Sequence, residues 1–131
     1  MQQGKPLFSE IGVIRAWELE EGPITPGQNR RKALEVSDLW VGECHVTVRD
    51  QASQWHHHKD FDSVMYMLSG RIRVDHGSGG KQSFELGAGD YAYFPRRVIH
   101  RAQILEGDNV RYVFVRVGRG ETLENVDGPE A

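Results

Sequence analysis

The sequence predicts an all-β domain of the sandwich or barrel class, and three observations carry that prediction. Apolar residues recur with period two over short stretches, fifteen glycines and five prolines punctuate them, and no segment carries a long helical stripe. The 131 residues suit one domain with its own core, since domains of about 100 to 150 residues bury most of the apolar surface that their unfolded chains expose.

Residues 1–34 carry Gly4, Pro6, Gly22, Pro23, Pro26 and Gly27 and read as an arm with one or two strands around Gly12–Leu19, either part of the same fold or a dimer contact. Residues 35–117 form the barrel. Its expected strands are Leu39–Arg49, Ser63–Leu68, Arg71–His76, Gln82–Leu86, Tyr91–Phe94, His100–Leu105 and Val110–Val117. The separators Ser69-Gly70, Gly77-Ser78-Gly79-Gly80, Gly87-Ala88-Gly89-Asp90, Pro95 and Gly107-Asp108-Asn109 supply the backbone angles that tight turns require. Residues 118–131 are a polar tail in which Thr122–Val126 could pair as a last edge strand.

Composition narrows the function classes. With 38% hydrophobic and 27% charged residues the chain reads as globular. A net charge of -3, from 16 basic and 19 acidic residues, gives no field that draws nucleic acid or acidic lipid. The longest apolar runs, such as Val64–Leu68 and Tyr112–Val115, fall far below the roughly 18 residues of a membrane-spanning helix. Met1–Glu10 shows no secretory signal. The lone Cys44 fits a reducing compartment. A cytoplasmic protein without nucleic-acid or membrane partners is the expectation.

Chemistry concentrates in the histidines. All six lie between positions 45 and 100, three of them in the run His56-His57-His58. In an extended strand side chains two apart share a face, so His56 and His58 can converge on one ion while His57 points away. Neutral imidazole suits Fe, Mn, Ni or Zn. His100 shares strand parity with Val98, Ala102 and Ile104 and is expected to point inward as a third ligand. Asp62 offers a carboxylate that could complete a three-histidine, one-carboxylate set. The competing readings are histidines unrelated to a metal and, for Asp62, a solvated loop carboxylate beside Lys59 and Asp60. Arg71, Arg73, Arg96, Arg97 and Arg101 cluster around these segments, and any that reached the mouth could clamp a carboxylate or phosphate.

Two segments also resemble a known family. His56-His57-His58-Lys59-Asp60-Phe61-Asp62-Ser63-Val64-Met65-Tyr66-Met67-Leu68-Ser69-Gly70 is similar to the first cupin motif, and Gly89-Asp90-Tyr91-Ala92-Tyr93-Phe94-Pro95-Arg96-Arg97-Val98-Ile99-His100 resembles the second. The resemblance covers about residues 40 to 117 and reaches short single-domain cupins that carry a triple-histidine run and paired basic residues in the arm, here Arg30-Arg31. It implies a double-stranded β-helix, or jelly-roll, barrel with a divalent metal, commonly dimeric. Family functions range from dioxygenase, isomerase and lyase to small-molecule binding and storage, so shared fold does not fix the chemistry.

The chain departs from the family pattern at three places. Asp62 or Ser63 stands where the first motif has glutamate, Arg97 where the second usually has glycine, and Ile104 where an asparagine often follows. The expected function is a metal-dependent enzyme acting on a small organic substrate in the barrel, with His56, His58 and His100 holding the ion. In that scheme Asp62 is fourth ligand or general base and Tyr66 or Tyr93 a hydrogen-bond donor. The alternative is a non-catalytic sensor or binding protein that uses the metal as anchor. A homodimer is expected in either case, with arms or edge strands added to the neighbouring barrel.

Overall fold

The computed structural model describes residues 10–25, 27–47, 54–121 and 123–130. Among them one antiparallel sheet curls on itself, made of β1 (Glu20–Thr25), β2 (Gln28–Val36), β3 (Leu39–Val46), β4 (His56–His57), β5 (Asp62–His76), β6 (Gln82–Gly87), β7 (Tyr91–Phe94), β8 (His100–Val117) and β9 (Glu124–Asn125). The all-β barrel expectation holds. No helix among the described residues is long and apolar enough to cross a membrane.

The arm differs from its expected form. Ala16–Glu18 is a single 3-10 turn, closed where the Glu18 carboxylate accepts from the Arg15 N–H at 2.7 Å. That local bond gives the backbone an alternative to strand pairing. The strands come later, as β1 and β2. Strand β2 pairs along the whole of β3, Gln28 opposite Val46 and Val36 opposite Leu39. Its alternation places Gln28 and Arg30 inside, 2% and 3% exposed. Charges at Arg30, Arg31 and Lys32 hide that strand from a hydrophobicity reading. Strand β3 closes at Val46, and residues 48 and 49 of its expected range lie outside the described residues.

Two expected turns are bends in continuous strands. Ser69-Gly70 lies within β5 and Gly107-Asp108-Asn109 within β8, with shifted register where they face each other. A bulge lets one strand bend round a barrel corner and pair on both sides of it. Thus β5 pairs through Asp62–Tyr66 with β8 and through Ser63–Tyr66 with β7, then through Arg71–His76 with β6 and again with β8. Gly70 sits at the corner with φ 82°, and a Cβ there would lie 2.5 Å from Val110 Cγ2. Only glycine meets both conditions.

The concave face is the core. Trp40, Cys44, Met65, Met67, Ile72, Val74, Val110, Tyr112 and Phe114 are buried there. The bend changes which positions of β5 face inward: Ser63, Met65 and Met67 before it, Ile72 and Val74 after. Strand β8 has even positions inside at His100, Ala102 and Ile104 and again at Val110, Tyr112, Phe114 and Arg116. The motif arginines are engaged in ion pairs away from the core: Arg73 and Arg101 with Asp75 at 2.9 and 3.0 Å, Arg71 with Glu85 at 3.2 Å, Arg97 with Asp60 at 2.9 Å. Arg97, at the family's glycine position, holds a left-handed φ of 59°, a conformation that costs a non-glycine residue about 1 kcal/mol or more.

Candidate metal centre

Three imidazoles meet inside one end of the barrel. Strand β4 pairs with β8 so that His56 lies directly opposite His100, and directly opposed residues project from the same side of a sheet. His58 follows two residues after His56 and returns to that side. The ring centroids stand 4.4 Å apart for His56 and His100, 4.9 Å for His58 and His100, and 5.5 Å for His56 and His58. One nitrogen from each ring lies within 4.8 Å of the others.

Hydrogen bonds fix which nitrogen each ring offers. His56 Nδ1–H donates to the Gln54 carbonyl at 2.8 Å and His100 Nδ1–H to the Val98 carbonyl at 3.0 Å. A carbonyl can only accept, so both rings keep Nε2 as a lone pair. His58 Nδ1 lies 2.9 Å from Ser63 Oγ, and an Arg116 Nη2 donor stands 3.5 Å from its Nε2. A donor on that side again leaves Nε2 unprotonated. Burial pushes all three histidines down: His56 and His58 well below the ordinary value, with His100 and the Arg30 and Arg116 guanidiniums adding to both and His56 adding to His58, and His100 to about 4. Neutral imidazoles with free Nε2 atoms are what a borderline divalent ion binds, so the residues fit the metal that the family implies. Ser63→Ala removes the hydroxyl that orients His58 and is expected to weaken Zn2+ binding about tenfold by chelator competition; an unchanged affinity would mean that the bond is incidental.

The other expected site residues lie elsewhere. Asp62 has the opposite parity to buried Ser63 and its carboxylate accepts from the Arg96 backbone at 3.1 Å, Arg96 Nε at 3.2 Å and the Tyr93 hydroxyl at 3.5 Å. The structure does not bring it to the histidines; Ser63 takes the inward place. Tyr66 packs against Tyr91 with ring centroids 4.7 Å apart and planes tilted by 49°, and Tyr93 is 60% exposed. Both are on the convex side, because Met65, Ala92 and Phe94 hold the inward positions. His57 is 7% exposed rather than turned to solvent. Strand β9 covers it, with Glu124 Oε1 3.7 Å from its Nε2.

Several cavity groups were not singled out from the sequence. Gln28, Arg30 and Tyr112 line the space with the three histidines, Ser63, Met65, Val74, Phe94, Ala102 and Phe114, and it leaves about 10 Å3, room for one water or ion. Gln28 Oε1 accepts from Arg30 Nη2 at 2.7 Å and from the Tyr112 hydroxyl at 3.3 Å. Arg116 adjoins the histidines and is wholly buried, its guanidinium 4.0 Å from the Phe114 ring centroid and 5.0 Å from that of Trp40. Burial, and then Arg30, lower it to about 9, so it stays charged at neutral pH. The available signal was parity: positions 110, 112, 114 and 116 alternate, and Arg116 continues the inward set. Cys44 is buried on the inward face of β3 with Trp40 and Val46, its thiol pushed up by burial.

A curled antiparallel barrel with three inward histidines from two separate segments is the architecture of one protein class. The chain belongs to the cupin domain family, which matches residues 40–116. Solved structures share the fold. KdgF from Halomonas sp. is 21% identical with a TM-score of 0.65, over 82% of this chain and 94% of that one. The polyketide cyclase RemF from Streptomyces resistomycificus is 17% identical with a TM-score of 0.69, over 88% and 85%. A variant of oxalate decarboxylase OxdC from Bacillus subtilis is 18% identical with a TM-score of 0.67, over 82% of this chain and 30% of that one. No curated protein matches the sequence.

Proposed function

We propose that this cupin is a metal-dependent enzyme acting on a small organic substrate inside the barrel. The observation that carries the reading is the set of three buried imidazoles whose Nδ1 atoms are all engaged, leaving ligand nitrogens within 4.8 Å of one another. His56, His58 and His100 hold the ion. A divalent ion there supplies Lewis acidity, polarising a carbonyl or enolate oxygen or lowering the pKa of water. Ser63 fixes the His58 ring, and Phe94, Ala102 and Phe114 give the cavity apolar walls. Burial raises the Tyr112 phenol, with Cys44 adding to it, so the group stays protonated as a donor. Asp62, Tyr66 and Tyr93 stand outside this scheme.

The test is metal analysis of untagged protein after loading with Fe2+, Mn2+, Ni2+ or Zn2+, followed by turnover assays on phenols, diketones and thiols, including anaerobic Fe2+ loading and oxygen uptake. One ion per chain with turnover supports an enzyme. Stoichiometric metal with no turnover supports the second reading, a sensor or carrier that uses the metal as anchor, which is favoured by the lack of any described carboxylate lining the cavity. No bound metal sinks both.

A homodimer is part of the proposal. Val64, Tyr91, Tyr93, Val115 and Val117 are exposed on adjoining strands, and monomers rarely leave such apolar area in water. Light scattering is expected to give twice the chain mass; a monomer at high concentration would remove this element.

A further inference from the structure

We propose that residues 123–130 are a strap on the metal centre: seated along β4 and Trp55, they hold His56 and His58 against His100 and so set how long the ion stays bound. The inference rests on the metal-dependent reading for the ion and on the seating of this segment for the rest. The strap residues act through the histidines and are positioning residues.

Strand β4 has little of its own to fix it. It is two residues long, and among the described residues its ladder with β8 is the single pair His56–His100. The strap supplies the other side. Strand β9 sets Asn125 opposite His56 and Glu124 opposite His57, and the Val126 N–H donates to the Trp55 carbonyl at 2.9 Å. Farther along, the Glu130 carbonyl accepts from the Gly79 N–H at 2.7 Å, which ties the strap to the turn between β5 and β6.

Trp55 is the peg of this arrangement. A Cβ at Gly80 would lie 2.7 Å from its ring and one at Gly128 3.5 Å, so the indole packs against both the turn and the strap. The Arg101 guanidinium stands 4.4 Å from the centroid of that ring, which links the residue before His56 to the residue after His100. Charge adds less. Lys59 Nζ lies 2.7 Å from Glu121 and 3.8 Å from Glu124, but the Glu121 side chain is 80% exposed, and ion pairs in water contribute little. Backbone pairing and Trp55 therefore carry the seating.

A two-residue edge strand opens far more readily than the core. When it lifts, β4 keeps one ladder pair, and His56 and His58 are no longer constrained to the arrangement in which one nitrogen from each ligand ring lies within 4.8 Å of the others. Loss of the ion then follows opening of the strap. Coupling between two such events is reciprocal: a strap that favours the bound ion when seated is itself favoured by the ion, by the same factor.

The test uses the full chain loaded with Zn2+ and follows release of the ion to an excess of a chromogenic chelator. Val126→Pro deletes the N–H that bonds Trp55 and is expected to speed release at least about tenfold, the scale on which groups that orient metal ligands act. Val126→Ala keeps that N–H and is expected to stay within about twofold of wild type. Leu86→Val, a core change in β6 outside the cavity lining, lowers Tm and is expected to leave the release rate alone. The reciprocal measurement needs no variant, and it decides the matter should Val126→Pro fail to fold. Zn2+ is expected to slow hydrogen exchange of the wild-type Val126 amide about tenfold, while the Gly89 amide, bonded to the Met67 carbonyl in a distant hairpin, changes little. Equal release from wild type and Val126→Pro overturns the proposal, as does equal acceleration by Leu86→Val, which would mean general loosening. Exchange at Val126 that ignores Zn2+, or that slows no more than at Gly89, overturns it as well. Protein that takes no Zn2+ at all sinks the metal reading and this inference with it, whereas Zn2+-loaded protein with strap-independent release sinks this one alone.

Discussion

Replacing His100 by alanine is expected to lower Zn2+ affinity by about 100-fold or more, since a structural zinc site gains roughly 10 kcal/mol or more from a handful of ligands and each carries a share of it. His58→Ala should do the same. His57→Ala, one residue away, should change the affinity by less than about threefold, because its ring lies on the other side of β4 against Glu124. Competition against a calibrated chelator reads all three variants, with far-ultraviolet circular dichroism confirming the fold. The contrast between positions 57 and 58 is the sharp part of the test: both are buried, so a general loss of packing would affect them alike. Full Zn2+ occupancy in His100→Ala would refute the assignment.

The metal-free protein is expected to lose stability steeply between pH 6.5 and pH 4. Burial holds His100 near 4 in the folded state, against about 6.5 in the unfolded chain. Between those values the unfolded chain binds the proton and the folded one does not, so falling pH favours unfolding. For a shift of that size the loss is about 3 kcal/mol from His100 alone, complete below its folded value. His56 and His58 are displaced in the same direction and add to it. Urea unfolding at pH 7 and pH 5 isolates the effect, because most carboxylates titrate below that range. Bound Zn2+ should reduce the loss, since protons must then displace an ion from the same nitrogens. If His100→Ala were as pH-sensitive as the wild type over this interval, the buried-imidazole account would fail.

The histidine cluster was legible because strand periodicity is a strong rule wherever the chain is extended. His56 and His58 share a face by parity, and His100 follows the inward set of Ala102 and Ile104. The same rule, applied consistently, separates Ser63 from Asp62. Met65 and Met67 are the inward residues of β5, so an odd position carries the polar group that reaches the cavity. Matching to a motif with glutamate drew attention to the carboxylate instead, and Asp62 is held outside by Arg96. Tyr66 and Tyr93 fail by the same parity. The corners were not legible, because glycine with a small polar neighbour signals a turn whether the strand ends there or bends and goes on; pairing on both sides of Ser69-Gly70 decides it. Arg116 was hidden by its chemistry. A charged residue near a strand end is ordinarily solvated, which outweighed the inward parity that it shares with Tyr112 and Phe114; the rings of Trp40 and Phe114 around it show that it is interior.

Strand β4 spans two residues and is hydrogen-bonded to β8 on one side and to Glu124–Asn125 on the other. During synthesis His56 and His58 emerge long before either of those partners, because translation runs from the N-terminus. A nascent chain therefore displays His56 and His58 without His100 while about forty further residues are added, and β4 gains its second neighbour only with Glu124 and Asn125. An ion that needs all three imidazoles would then meet its complete site only after His100 has joined the other two.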